Sequence, residues 1–372
     1  MIFRRLTNGQ ANGHRHAMSA DMISLLDDRC NARAIKHLLD QAKDAFPDKE
    51  VKVSAPKKEV LIRENLRNAV AAGAVELADV ERLLLESEEN GQQVVLFYEP
   101  ANEDLMAILN SPEQVAATLF GGENWKEQHP FPLFREKPQG DVWSDFRLED
   151  DSGWVAKLYR GDDRWVLDRD QSEETDTRRV KVWVKRYSRD VFLFRWHEQG
   201  ILEVRTPRVD GKRELLEVVD IAWGALSPIA ALNDFTPFKL TKAASKLAHD
   251  EKGLDGEIAL GPARVSDSSG GSATFAPRSS DQYLLESKEH REAIKIFKLC
   301  RELSVYWLRP SEDDEEQDRV KTVIGYQSHE NCVLIPARVG RSNATYVTNR
   351  LLKIEAEERQ RNGSGRAAEA VG

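Results

Sequence analysis

Five carboxylates crowd the stretch "DVWSDFRLEDD": Asp141, Asp145, Glu149, Asp150 and Asp151. Carboxylates that converge on two divalent cations can hydrolyse phosphoesters, commonly with a lysine nearby. A second possible chemistry is thiol attack, because His329 and Cys332 are close in sequence and a thiol beside a base is the core of such a site. The "HRH" at 14–16 has side chains that bind metals. Each lacks the rest of its machinery. The carboxylates fall on one strand and its following turn, so most should point to water. Cys332 belongs to a strand edge, and "HRH" to a polar lead. There is no Walker A loop, no G-x-G-x-x-G, no H-E-x-x-H and no G-x-S-x-G. The sequence therefore assigns no catalytic residue, no metal ligand and no cofactor. A metal-dependent hydrolase ranks third among the readings.

A different chemistry is written in "VKVWVKRYSRDVFLFRWHEQGILEVRTP", residues 180–207. Side chains alternate between the two faces of a strand. Val180, Val182 and Val184 share one face with Phe192, Phe194, Trp196, Leu202 and Val204, a set expected to meet in the core. The other face carries Lys181, Trp183 and Lys185, then Leu193, Arg195 and His197, then Glu203 and Arg205. Arg178, Arg179, Arg186, Arg189 and Arg208 gather at the expected turns. Residues 178–213 hold eleven Lys/Arg against four Asp/Glu, while residues 73–176 hold twenty-five acidic against nine basic residues. Cations around a ring on a sheet suit nucleic acid: charges meet phosphates and the ring stacks on a base. The competing expectation is that this face pairs with the acidic block inside the protein.

Those residues need a frame. Apolar residues at helical spacing predict helices in "ARAIKHLLDQAKDAF", "KKEVLIRENLRNAVAAGA", "LADVERLLLESEENG" and "NEDLMAILNSPEQVAATLFG", with "QQVVLFYEP" as a strand among them. Ser54 is expected to cap a helix with Pro56 in its first turn, and Gly73 to end it. Six short alternating segments follow: "VWSDFRL", "WVAKLYR", "RWVLDRD", "RVKVWVKRY", "VFLFRWHE" and "ILEVRTP". Turn-like "GDD" and "SRD" separate two of the pairs, which predicts a six-strand antiparallel meander. Two helices come next, and the Ser/Gly/Pro-rich stretch reads as a flexible loop.

The fold class is α+β: a helical N-terminal domain, a central antiparallel β-meander with following helices, and a small α/β C-terminal module. The boundaries are a disordered lead at 1–17, the helical domain at 18–128, the sheet domain with helices at 139–250, a flexible loop or linker at 261–282, the α/β module at 283–360 and a disordered tail at 361–372. Met18 stands as an alternative start.

Composition bounds the function. The 372 residues are 31% charged, with a formal net charge of −9, as in a soluble globular protein with a charged surface. No stretch reaches the roughly 18–20 apolar residues of a membrane span, and the N-terminus lacks an apolar signal core. Three widely spaced cysteines fit a reducing cytoplasm better than a disulfide framework.

Near the N-terminus, residues 29–67 carry ten Lys/Arg against six acidic residues. There "KKEVLIRENL" resembles the start of the second helix in SAP-type helix–loop–helix DNA-binding proteins. The resemblance implies DNA backbone contact by Lys57, Lys58 and Arg63. The leading expectation is a non-enzymatic protein that binds nucleic acid or a nucleoprotein through Lys181, Trp183, Lys185, Arg195, His197 and Arg205. The alternative is a protein–protein adaptor that docks partner subunits through its charge blocks. No membrane partner is expected.

Overall fold

The structure is a computed structural model that describes residues 26, 30, 32–57, 60–122, 140–149, 153–174, 177–209, 211–250, 253–267, 271–277, 283–297, 299–309 and 318–369. In chain order the elements are α1 (Ala32–Ala45), a π-helical stretch (Leu61–Leu66) running into α2 (Arg67–Ala71), α3 (Leu77–Asn90), β1 (Gly91–Pro100), α4 (Glu103–Leu109) and α5 (Pro112–Phe120). Then come β2 (Gly140–Leu148), β3 (Trp154–Glu174), β4 (Arg179–His197), β5 (Ile201–Pro207), α6 (Lys212–Leu226), β6 (Phe235–Pro237), α7 (Thr241–His249) and α8 (Gly253–Gly256). The chain continues through β7 (Ile258–Ser266), β8 (Ser272–Phe275), α9 (Lys288–Ile296), β9 (Leu299–Arg309), β10 (Asp318–Ile324), β11 (Cys332–Arg338) and α10 (Arg341–Glu369). The class is α+β, and the order of N-terminal helices followed by a strand meander matches the sequence expectation. Two compact units divide the chain: residues 94–238, and residues 1–93 with 239–372.

In the unit of residues 94–238 the strands lie in the order β2-β3-β4-β5-β1. The β2–β3, β3–β4 and β4–β5 ladders are antiparallel. One sheet face is apolar. Trp154, Phe192, Phe194, Trp196, Leu202 and Val204 on it are buried. The tryptophans also anchor the sheet to the α4–α5 corner. Trp154 Nε1 donates to the Leu109 carbonyl at 2.8 Å, and Trp196 Nε1 to Asn110 Oδ1 at 3.0 Å. A buried indole N–H usually finds such a partner, which offsets the cost of taking it out of water. In β2 the register shifts between Trp143 and Asp145, which leaves Ser144 as the extra residue of a bulge. That insertion lets Trp143 and Phe146, three residues apart, both face the apolar side. Trp143 lies 5.3 Å from Phe194, and Phe146 stacks on Trp154 at 5.8 Å.

The meander has fewer strands than expected. The segments "WVAKLYR" and "RWVLDRD" are one strand, β3, and "RVKVWVKRY" and "VFLFRWHE" are one strand, β4. The two turn signals face each other in mid-ladder, with Gly161 opposite Arg189, Asp162 opposite Ser188 and Asp163 opposite Tyr187. Each is a weak strand former, yet in register the ladder hydrogen bonds outweigh local preference. Beyond this point the hairpin pairs with no further strand among the described residues. β2 pairs no further along β3 than Gly161, and β5 pairs β4 only from Leu193 onward. The rest is a two-stranded arm, roughly 40 Å long at ~3.3 Å per residue.

In the other unit the order is β11-β10-β9-β7-β8, with every ladder antiparallel. Trp307 at its centre is fully buried and donates from Nε1 to Thr322 Oγ1 at 3.0 Å. The loop expected over 261–282 is in part a hairpin. Ala263–Ser266 pairs with Ser272–Phe275, and Asp267 closes the turn by accepting from the Gly271 N–H at 2.7 Å. The Ser/Gly run marks a turn because its flanks, Val265 and Ala263, are buried. Gly325, with φ of 75°, turns β10 into β11, and a Cβ there would meet the Arg301 carbonyl oxygen. Ser54 is not the expected helix cap. Helical bonding begins with the Leu61 N–H donating to Lys57 O at 3.1 Å, and the Ser54 carbonyl instead accepts from Asn65 Nδ2. Gly73 ends that helical stretch with φ of 66°, as expected. The tail expected to be disordered continues α10 to Glu369. The lead at 1–17 lies outside the described residues.

Candidate functional site

The alternation places Lys181, Trp183, Lys185, Arg195 and His197 on one face of β4, and Glu203 and Arg205 on the same face of β5. That face is not one exposed surface. On the arm, Lys181, Trp183 and Lys185 are open to solvent; in the sheet, Arg195 is 3% and Arg205 0% exposed. The expectation of a continuous basic surface through Arg195, His197 and Arg205 is therefore corrected. Val180, Val182 and Val184, expected in the core, are only half-buried, because among the described residues the arm has no third strand beside it.

The buried half is an ion network centred on Glu203, which is fully buried. Arg205 Nε donates to Glu203 Oε1. His197 Nε2 lies 2.8 Å from Oε2, and Arg195 Nη1 lies 3.7 Å from Oε1. Arg195 also pairs with Glu149 at 3.0 Å. Strand geometry explains the set. Arg195 is directly opposite Glu203, Arg205 is two residues along and His197 is on the same face, so two guanidinium groups and an imidazole surround one carboxylate. Burial alone would raise the Glu203 carboxyl, but Arg205, Arg195 and His197 together hold it well below the usual range. On the same face Arg189 lies over the Tyr159 ring at 4.1 Å, and Lys157 is fully buried.

The exposed half is the arm. Trp165 is 65% and Trp183 54% exposed. Trp165 is opposite Lys185 and Trp183 is opposite Leu167, so the two rings are diagonal neighbours on one face. Lys185 pairs with Asp163 at 2.9 Å. Trp165 escaped the sequence reading. The period-2 pattern of Asp163, Trp165 and Leu167 was its signal, but the "GDD" turn reading broke the strand before it could be followed.

At the N-terminal candidate, Lys57 is exposed. Lys58 and the side chain of Arg63 lie outside the described residues. The backbone around Arg63 is the π-helical stretch, not the plain helix start that the SAP-type resemblance implies.

The three described carboxylates each face an arginine. Asp141 is 3.6 Å from Arg160, Asp145 is 2.9 Å from Arg147 and Glu149 binds Arg195, while Asp150 and Asp151 lie outside the described residues. Among the described residues no group of three or more His, Cys, Asp or Glu is placed to hold a metal ion. Burial pushes the Cys332 thiol far up, away from the thiolate a nucleophile needs. The exposed Asp141–Arg160 pair should matter little. Asp141→Asn is expected to change stability by no more than about 1 kcal/mol, and calorimetric titration with Mg²⁺ or Mn²⁺ should give no saturable heat. A saturable heat that disappears in Asp141→Asn would restore the hydrolase.

No protein-family model matches the chain, and no curated protein matches it. Among the described residues no helix is long and apolar enough to cross a membrane.

Proposed function

We propose that the chain is a non-enzymatic binding protein that contacts nucleic acid through the exposed face of the β3–β4 arm. The observation that carries this reading is the pair of solvent-facing rings, Trp165 and Trp183, set among Lys181 and Lys185 on a ribbon with no neighbouring strand among the described residues. Lysines neutralise phosphates and release counterions. Exposed rings stack on unpaired bases whatever their sequence. A two-stranded ribbon also has the width that a DNA major groove admits. Keeping two indoles in water has no benefit to folding, so a partner that covers them supplies the reason for their position.

The adaptor reading has its own support. Among the described residues the arm has two open strand edges, and it carries an acid among its cations, Asp163, already paired to Lys185. Both features suit a protein strand or a charged protein patch.

A gel-shift titration at two salt concentrations with single-stranded and duplex probes separates the two. Lys181→Gln should lower the log–log salt slope by about 0.7–0.9, and Lys185→Gln by less because Asp163 already neutralises it in part. Trp183→Ala should cost about 1–3 kcal/mol on single strands and leave the slope unchanged. No shift of either probe at low salt would end the nucleic-acid reading and leave the adaptor.

A further inference from the structure

A groove of about 810 Å³ runs along one side of α10, within the unit of residues 1–93 and 239–372. Arg341, Thr345, Asn349 and Lys353 form one row of its lining, and Ser342, Tyr346 and Arg350 the next. Both rows advance by four residues, so they are adjacent ridges of a single helix face, roughly 18 Å long. Glu86 of α3 and Gly340 complete the lining. One carboxylate thus faces three cations, three hydroxyls and an amide.

The wall behind the groove is fixed from inside. Trp307 packs edge-on against Tyr346 at 6.2 Å between ring centres. Tyr346 donates its hydroxyl proton to Glu257, and Glu257 accepts from Arg350 Nε at 3.1 Å and Nη2 at 2.9 Å. Glu257 holds one edge of the guanidinium, which leaves the Nη1 donors for a ligand. Holding the side chain in advance lowers the ordering cost of binding. Lys353 is exposed and makes no ion pair among the described residues.

We propose that this groove binds a phosphate group carried on a nucleotide-sized body. A guanidinium, an ammonium and hydroxyl donors on one wall match an anion with several acceptor oxygens. The volume lies in the range of small-molecule sites, about 300–1,000 Å³, and exceeds what a bare anion fills. The Tyr346 hydroxyl is committed to Glu257, so the ring serves as a wall and recognition falls to the phosphate. The phosphate belongs either to a free nucleotide or to a nucleic-acid backbone. The groove shares no residue with the arm, so the two readings stand or fall separately.

The test is calorimetry on the full chain with adenosine monophosphate, a twelve-nucleotide single-stranded oligonucleotide and poly-glutamate. It compares wild type, Arg341→Gln/Lys353→Gln and the arm variant Trp183→Ala. Both groove positions are exposed, so the double variant should melt as wild type does. Adenosine monophosphate should bind wild type, and the double variant should weaken it at least about tenfold, the loss expected for charge-assisted hydrogen bonds. Trp183→Ala should leave that affinity unchanged. If only the oligonucleotide binds and the double variant weakens it, the source is a nucleic-acid backbone. The proposal is overturned if neither phosphate probe binds, if the double variant binds as tightly as wild type, or if poly-glutamate alone binds through these residues.

Discussion

Glu203→Ala should cost about 3–5 kcal/mol of folding stability, the loss that follows when one member of a buried charge set is removed. Arg205 and Arg195 would keep their charge in a water-free setting without the carboxylate that both face. Urea unfolding at neutral pH measures the change. Glu203→Gln keeps the shape and one acceptor, so it should lose less than the alanine variant. Replacing Glu203 and Arg205 together with apolar residues of similar volume should recover most of the loss, because Arg195 keeps its pair with Glu149. A change below about 1 kcal/mol for Glu203→Ala would mean that water reaches the network.

The same carboxylate fixes a pH dependence. Its folded value lies below the ordinary one of 4.5. Below about pH 4.5 the unfolded chain therefore binds a proton at this position while the native state does not. Stability contributed by Glu203 is complete above that pH and falls as the solution is acidified, by about 1.4 kcal/mol per pH unit, until the native carboxylate also protonates. The Glu203→Gln protein should lack this part of the slope. Equal acid slopes in the two proteins would place the acid sensitivity in other groups.

Residue patterns made most of the element order legible, and the misreadings share a cause. The alternation through Val180–Lys185 and Phe192–His197 put the right side chains on each face of β4. It could not tell which part of that face meets water, because burial depends on how far the neighbouring strands extend. β5 reaches back only to Leu193, and that limit separates the Lys181–Lys185 segment from Arg195. The "GDD" and "SRD" segments misled because local turn preference is a weak prior once two such segments fall opposite each other. The bulge at Ser144 has no local signature; only the need to bury both Trp143 and Phe146 explains it. Arg341, Arg350 and Lys353 carry no sequence signature of a site, because cations on the polar face of a helix are ordinary and the groove exists only once Glu86 of α3 lies beside them.

Shortening the arm should abolish nucleic-acid binding while leaving the sheet folded. Gly161 and Arg189 are directly opposed in the ladder, so residues 162–188 can be replaced by a two-residue Asn-Gly turn whose twist suits an antiparallel pair. The ladders that hold the sheet, β2 to β3 up to Gly161 and β4 to β5 from Leu193, remain whole. So do the Trp154 and Trp196 anchors, the Glu203 network and the Arg189–Tyr159 contact. The segment removed contains the exposed Trp165 and Trp183, so its loss sacrifices little buried apolar area. The melting temperature should therefore stay within about 4 °C, the upper end of the shift that roughly 1 kcal/mol produces in a domain of about 150–250 residues. The gel shift at low salt should vanish for single-stranded and duplex probes alike, apart from any weak oligonucleotide binding that Arg341→Gln/Lys353→Gln removes. Collapse of the melting transition would mean that the arm packs on the rest of the protein. Full binding with the arm gone would move the interface elsewhere and leave the paired tryptophans to a protein partner.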